Sequence, residues 1–150
     1  MDAAVRVDPV ELGGQRYAIE TGSVEARIDV SRTTSGYAFR LRFDARLAGP
    51  CMRCLADAHP LVRVESREIE QPGESEELHT PYLEQEQLEL TGWVRDALLL
   101  ALPARLLCRE DCHGLCPVCG ADLNTVDPDG HTHEGRGDPR WAKLGEIRFE

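Results

Sequence analysis

The chain has 150 residues, 41% of them hydrophobic, and a net charge of −10. That suits one domain with a real core and excludes nucleic-acid binding by bulk electrostatics. Its longest apolar run, Ala97–Pro103, falls far short of the roughly 18 residues a membrane span needs.

No apolar export core follows a basic end in Met1-Asp2-Ala3-Ala4-Val5-Arg6, so a cytoplasmic location is expected. The acidity is uneven. Residues 61–100 carry ten acids against three bases, whereas residues 1–60 are balanced at eight and eight.

Residues 1–20 give weak signals: Gly13-Gly14 reads as a turn between two short extended pieces. Val24–Val30 alternates apolar and polar residues, the pattern of a half-buried strand. Tyr37–Leu47 alternates again. Its apolar face is Tyr37, Phe39, Leu41, Phe43, Ala45 and Leu47, and Arg40, Arg42 and Arg46 lie on the other. Gly49-Pro50 is expected to break this strand, and Leu61–Ile69 reads as its return partner, which places Cys51 and Cys54 near the tip of a long hairpin. Gln71–Glu77 reads as a solvated acidic loop. Leu88-Glu89-Leu90 is a short strand candidate. Thr91 is the predicted cap of a helix from Gly92 to Leu102, which Pro103 stops. Trp93, Val94, Ala97, Leu98, Ala101 and Leu102 share one face, and Leu99 and Leu100 broaden it, so the helix is expected to be well buried. Asp127–Gly130 reads as a turn, and Asp138–Leu144 as a short terminal helix capped by Asp138, with Pro139 in its first turn.

Six cysteines are many for this length. Without an export signal, their clustering argues for metal rather than disulfides. Cys51-Met52-Arg53-Cys54 and Cys116-Pro117-Val118-Cys119 are C-x2-C pairs, whose tight turns can aim two thiolates at one Zn²⁺. Gly120 after the second pair lets backbone N–H groups approach the sulfurs. Cys108 and Cys112 share a face if their segment is helical. His131-Thr132-His133 follows in a loop. Eight ligands suffice for two four-coordinate sites. The preferred partition joins Cys51, Cys54, Cys108 and Cys112 around one metal, and Cys116, Cys119, His131 and His133 around another. The second set is local and closes at low entropic cost. The competing partition is one zinc ribbon of Cys51, Cys54, Cys116 and Cys119.

Blander readings stand beside these. Cys51 and Cys54 fit buried thiols or a reducible pair, and His131 and His133 fit solvated loop residues, with His113 as an alternative ligand. His59 and His79 carry no motif. Arg40, Arg42 and Arg46 fit the wet face of a strand as well as an RNA contact, which Arg53 would join. A dithiol redox site needs its first thiol at a helix N-terminus in a βαβ setting. A zinc deaminase needs His-x-Glu upstream of its Pro-Cys-x-x-Cys. Neither pattern is present, and no catalytic residue is assigned.

An order of features then emerges: an Arg-rich strand, Cys51-x-Arg53-Cys54-Leu55, an acidic loop, and a Leu-rich helix ending Ala101-Leu102-Pro103. Cys108-x3-Cys112-x-Gly114-Leu115-Cys116-Pro117-x-Cys119-Gly120-x-x-Leu123-Asn124 follows, and Asp138-Pro139-Arg140-Trp141-x-x-Leu144 comes last. Over roughly residues 20–147 this resembles the bacterial YceD family, the large ribosomal RNA subunit accumulation proteins. The resemblance implies a non-enzymatic role in accumulation or processing of large-subunit ribosomal RNA. It also implies that some relatives keep counterparts of Cys51, Cys54, Cys108 (as His) and Cys112 without the later knuckle, which supports the partition. Many others carry Cys-x-Cys where this chain has His131-Thr132-His133.

The expected fold is α+β: an antiparallel sheet packed on one buried helix, with zinc-stapled Cys-rich loops. One domain, 1–150, is expected, with its core at about 20–107. A metal-binding lobe at about 108–150 would share one site with 51–54. Two Zn²⁺ are expected. The expected partner is large-subunit precursor RNA, a large-subunit ribosomal protein, or both, with no membrane and no small-molecule substrate. The alternatives are a zinc-ribbon adaptor in transcription or another protein–protein role, and a thiol redox protein.

Overall fold

A computed structural model describes residues 1–71, 73, 78–127 and 130–133. Its strands are β1 (Asp2–Arg6), β2 (Val10–Leu12), β3 (Gln15–Ile19), β4 (Ser23–Arg32), β5 (Tyr37–Pro50), β6 (Asp57–Ala58), β7 (Leu61–Glu70), β8 (Leu83–Glu84) and β9 (Gln87–Leu88); one helix, α1, spans Leu90–Ala101. The molecule is α+β, mostly antiparallel sheet.

β5 organises everything else because it is 14 residues long. Its first half pairs with β4 (Arg27↔Arg42 to Arg32↔Tyr37), and β7 pairs with it from Tyr37↔Glu70 to Arg46↔Leu61. Its second half takes β3 (Ala18↔Ala48, Ile19↔Leu47) and then β6 (Gly49↔Ala58, Pro50↔Asp57). β1 extends the sheet beyond β4, and β2 extends it beyond β3. Strict alternation puts Phe39, Leu41, Phe43, Ala45 and Leu47 inward, joined by Val24, Ala26 and Ile28 of β4 and by Val62 and Val64 of β7. α1 packs on β7 and β1, burying Trp93, Val94, Ala97 and Leu98. The Trp93 indole N–H donates to Ser66 Oγ at 2.9 Å, so the largest core side chain leaves no buried donor unpaired.

Several expectations are corrected. The core reaches back to Val5, Val7, Val10, Tyr17 and Ile19, ahead of residue 20. β5 ends just before Cys51, as expected, but it takes in Gly49 and Pro50, which pair with β6. Tyr17 packs against Gly49, where a Cβ would overlap its ring, and the Tyr17 hydroxyl donates to the Pro50 carbonyl at 2.8 Å. α1 starts at Leu90 with Glu89 as its cap, not Thr91. The Glu89 carboxylate accepts from the N–H groups of Thr91 (3.0 Å) and Gly92 (2.6 Å), satisfying two of the helix's orphan donors. Leu100 is 89% exposed and Leu99 36%, so the buried stripe is narrower than the sequence suggests. The 108–112 stretch is a turn rather than a helix. The acidic loop, apart from Gln71 and Gly73, and the 138–144 segment lie outside the described residues, as do Pro128 and Asp129 of the expected turn.

Candidate metal centres

The two C-x2-C pairs fold as the same turn. In the first, Cys51 N–H donates to Ala56 O (2.7 Å) and Leu55 N–H to Cys51 O (3.0 Å). Arg53 N–H meets Cys51 Sγ at 3.5 Å. In the second, Cys116 N–H donates to Ala121 O (2.8 Å) and Gly120 N–H to Cys116 O (2.8 Å). Val118 N–H meets Cys116 Sγ at 3.4 Å. The turn requires a left-handed residue after its second cysteine, and both comply: Leu55 at φ 63° and Gly120 at φ 74°. Glycine adopts that conformation freely, while a leucine there is strained.

The first pair gathers Cys108 and Cys112 from the other side of α1. Leu106, fully buried, brings them in: Met52 N–H donates to Leu106 O at 2.9 Å, and Leu106 N–H meets Met52 Sδ at 3.4 Å. The 109–112 turn then closes with Cys112 N–H donating to Arg109 O at 3.2 Å. Cys51 Sγ lies 3.7 Å from Cys112 Sγ, and Cys54 Sγ 3.6 Å from Cys108 Sγ. All four sulfurs are within 4.8 Å of one another. These are not disulfide lengths, which would be about 2.05 Å. They are close to the S···S edge of about 3.8 Å in a tetrahedron of Zn–S bonds near 2.3 Å.

The second pair gathers His131 and His133. Cys116 Sγ lies 3.2 Å from His133 Nε2, Cys119 Sγ 3.5 Å from His131 Nε2, and the two Nε2 atoms 3.1 Å apart. A mixed S2N2 tetrahedron has S···N edges of about 3.5 Å and N···N edges of about 3.3 Å. Both donor sets therefore fit a four-coordinate metal such as Zn²⁺. The ribbon grouping of Cys51, Cys54, Cys116 and Cys119 is not formed: each pair belongs to a different cluster. His113 is in neither cluster. His59 and His79 pair with Glu20 and Glu70 instead.

Electrostatics argue the same way. Four thiols cannot all ionise side by side without a cation. Burial opposes ionisation of Cys51, yet the backbone N–H groups of Cys54, Arg53 and Cys108 bring its pKa down to about 6. Cys108 pays for this: burial, together with the neighbouring thiols, pushes it up to about 12. Cys54 also rises; the Ala56 amide pulls it down, but burial and the Cys51 and Cys112 thiols outweigh that pull. In the second cluster His131, followed by the Cys119 and Val118 amides, lowers Cys116 to about 6. Each cluster thus holds one thiolate ready to receive a cation.

The two clusters sit back to back. Gly114, at φ 80°, lies against the Arg53 carbonyl, which accepts Leu115 N–H at 3.2 Å. Leu115 bridges Asp122, and Leu123 N–H donates to Gly114 O at 2.9 Å. The hairpin carrying the second knuckle therefore rests on the first. Asn124, to which sequence reasoning gave no role, completes the joint. Its Nδ2 lies 3.6 Å from Cys112 Sγ, and its Oδ1 accepts from His113 N–H (2.8 Å) and Arg109 (3.0 Å).

The arginines singled out as binding residues are engaged within the chain. Arg40 forks Glu65 (3.1 and 2.8 Å), Arg42 donates to Asp29 at 2.5 Å, and Arg46 faces Glu20 at 3.8 Å. Arg53 Nη1 donates to Cys112 O at 2.6 Å.

The family profile described as "Large ribosomal RNA subunit accumulation protein YceD" matches residues 39–148. Uncharacterised proteins of Mycobacterium bovis and Mycobacterium tuberculosis are each 34% identical to the chain over 146 residues, covering 93% of it and 69% of their own length. One from Mycobacterium leprae is 35% identical over 103 residues, covering 65% of the chain and 46% of its own length. No solved structure matches significantly. No described helix is long and apolar enough to cross a membrane.

Proposed function

The chain belongs to the YceD family, and on that premise we propose that it is a non-enzymatic zinc protein supporting accumulation of large-subunit ribosomal RNA and assembly of the large ribosomal subunit. The observation that carries the reading is the pair of four-ligand clusters. Cys51, Cys54, Cys108 and Cys112 would hold one Zn²⁺, and Cys116, Cys119, His131 and His133 another. Four protein donors fill a tetrahedral shell and leave no position for substrate, which is the signature of structural rather than catalytic zinc. The metal would cross-link loops that are far apart in sequence, 51–54 with 108–112, and close the hairpin from Cys116 to His133. The partner in this reading is large-subunit precursor RNA or a large-subunit ribosomal protein, met in the cytoplasm. Arg40, Arg42 and Arg46 would have to release their carboxylates to reach RNA phosphates, so that stripe supports the reading weakly.

The test has two parts. Elemental analysis of protein purified without chelator should give two Zn²⁺ per chain; a value of one, unchanged when His131 and His133 are both replaced by Ala, removes the second site. The tagged protein should sediment with large-subunit precursors. Purification with RNA polymerase instead would favour the adaptor role, and reversible dithiol oxidation without metal loss the redox role.

A further inference from the structure

We propose that a groove beside the first knuckle, formed by Met52, Arg53, Leu55, Arg105, Gln15 and Gly13, binds an unpaired stretch of single-stranded RNA; this rests on the ribosomal RNA reading above and names the site for it. The groove encloses about 360 Å³, within the roughly 300–1,000 Å³ usual for small-ligand sites. Its charge sets it apart. The chain carries −10 overall, and the wider groove on the outer sheet face mixes Arg27, Arg42 and Arg63 with Glu25, Asp44 and Glu65. The knuckle groove is lined by two arginines and no carboxylate. An anion there meets two cations and no like charge in the lining.

Its chemistry fits a nucleotide in parts. Arginine guanidinium planes fork phosphate and stack on bases, and Arg53 and Arg105 are both exposed. Arg53 is held in place through Cys112 O. Arg105 is set beside the groove because Leu106 is clamped to Met52 through both its N–H and its carbonyl. Gln15 offers a donor and an acceptor for a base edge. Met52 and Leu55 supply an apolar surface for a base or ribose.

Leu55 is the sharpest observation. It occupies the left-handed position that Gly120 fills in the matching knuckle, and its side chain points to solvent, 59% exposed. A leucine there carries strain that glycine would avoid, and with its side chain mostly in solvent it recovers little by burial. Strain of this kind collects at functional sites. A single-stranded partner also fits the local scale of this basic lining, since unpaired bases are bound by local stacking and edge contacts.

The experiment titrates the full zinc-loaded chain with a labelled single-stranded RNA of about ten nucleotides and crosslinks the tagged protein to RNA in cells. Leu55→Gly should keep both zinc ions, melt no lower than the parent, and bind the oligonucleotide about tenfold more weakly. Arg105→Ala should make the slope of log affinity against log salt shallower by about 0.7, one single-strand phosphate contact. Leu55→Gly and Arg105→Ala variants that bind and crosslink as the parent does would overturn the groove while leaving the ribosomal reading standing. Oligonucleotide binding that both variants weaken, with no large-subunit RNA crosslinked to the parent in cells, would support the groove and overturn that reading. Displacement of the RNA by an equal concentration of an acidic peptide would overturn the nucleotide assignment in favour of a protein partner.

Discussion

The two knuckles share a backbone turn but not a setting. The first grows out of the end of β5, buries Cys51 and Cys112 completely, and packs them with Ala58 in a small apolar cluster of its own. Its ligands are separated by the whole of β7 and α1. The second is built within 18 residues, from Cys116 to His133, and exposes Cys119 and His133. Closing the first therefore fixes the path of most of the chain, and closing the second fixes one hairpin. With a metal bound, the same four-ligand chemistry would be a clasp for the fold in one place and a local staple in the other.

Replacing one ligand in each tests that contrast most strongly. Cys51→Ser removes a buried donor and leaves three thiols without their cation. It should cost several kcal/mol and lower hydrogen-exchange protection through β5, β7 and α1. His131→Ala should leave those strands protected and loosen only the hairpin after Gly114, with a loss of about 2 kcal/mol or less. Zinc content should fall from two to one in both. Equal, global loss of protection in the two variants would remove the distinction between clasp and staple.

Much of this is legible in the sequence. β4, β5 and β7 announce themselves through strict alternation, because each buries one face only. The ligand partition follows from loop closure, and the structure groups the same eight residues in the same two sets. Other features carry no local signal. β1 to β3 are short, and Tyr17 is buried by a neighbour 32 positions away, Gly49, that no local pattern reveals. The β8–β9 turn places Gln85 and Glu86 at φ 48° and 65°, where glycine or asparagine is the usual marker. Leu99 and Leu100 read as core because they are apolar, but the sheet and helix meet along a narrower stripe. Cys108 and Cys112 fit a helix by spacing, yet the stretch closes as a single turn, Cys112 N–H bonding Arg109 O, and spacing alone does not separate a turn from a helix.

Proton release sharpens the comparison without mutation. In the metal-free protein Cys108, at about 12, and Cys54, raised, carry their protons at neutral pH. Both must lose them to bind metal. Cys116, at about 6, is already largely thiolate there. Loading the first cluster at pH 7 should thus release about two protons from Cys54 and Cys108, against almost none from Cys116. Its affinity should fall more steeply as pH drops, because raised pKa values mean protons compete with the metal throughout the neutral range. Calorimetry of Zn²⁺ binding to the full chain and to a Cys116→Ser, Cys119→Ser variant, in buffers of different ionisation enthalpy, separates the two contributions. A first cluster that loads without releasing protons would contradict the arrangement of its thiols.

The smallest expected effect bears on whether clasp and staple are independent. Asn124 belongs to the hairpin of the second knuckle, yet its amide reaches Cys112 Sγ of the first at 3.6 Å and its oxygen holds His113 N–H and Arg109. An N–H directed at a metal-bound thiolate spreads its charge and orients it, and loss of such an outer partner typically lowers metal affinity about 10–100-fold. The contact here is long and partly exposed, so Asn124→Ala should sit near the low end. Zinc should leave the first cluster about tenfold faster on challenge with a chromophoric chelator, while the second cluster, which Asn124 does not touch, releases at the parent rate. Asn124→Asp separates hydrogen bonding from packing: it keeps the acceptor for His113 N–H and Arg109 but sets a carboxylate against the sulfur, so its first-cluster release should be faster than that of Asn124→Ala. If both variants instead speed release from the second cluster and spare the first, the hairpin is held by its own metal alone and the joint through Asn124 transmits nothing.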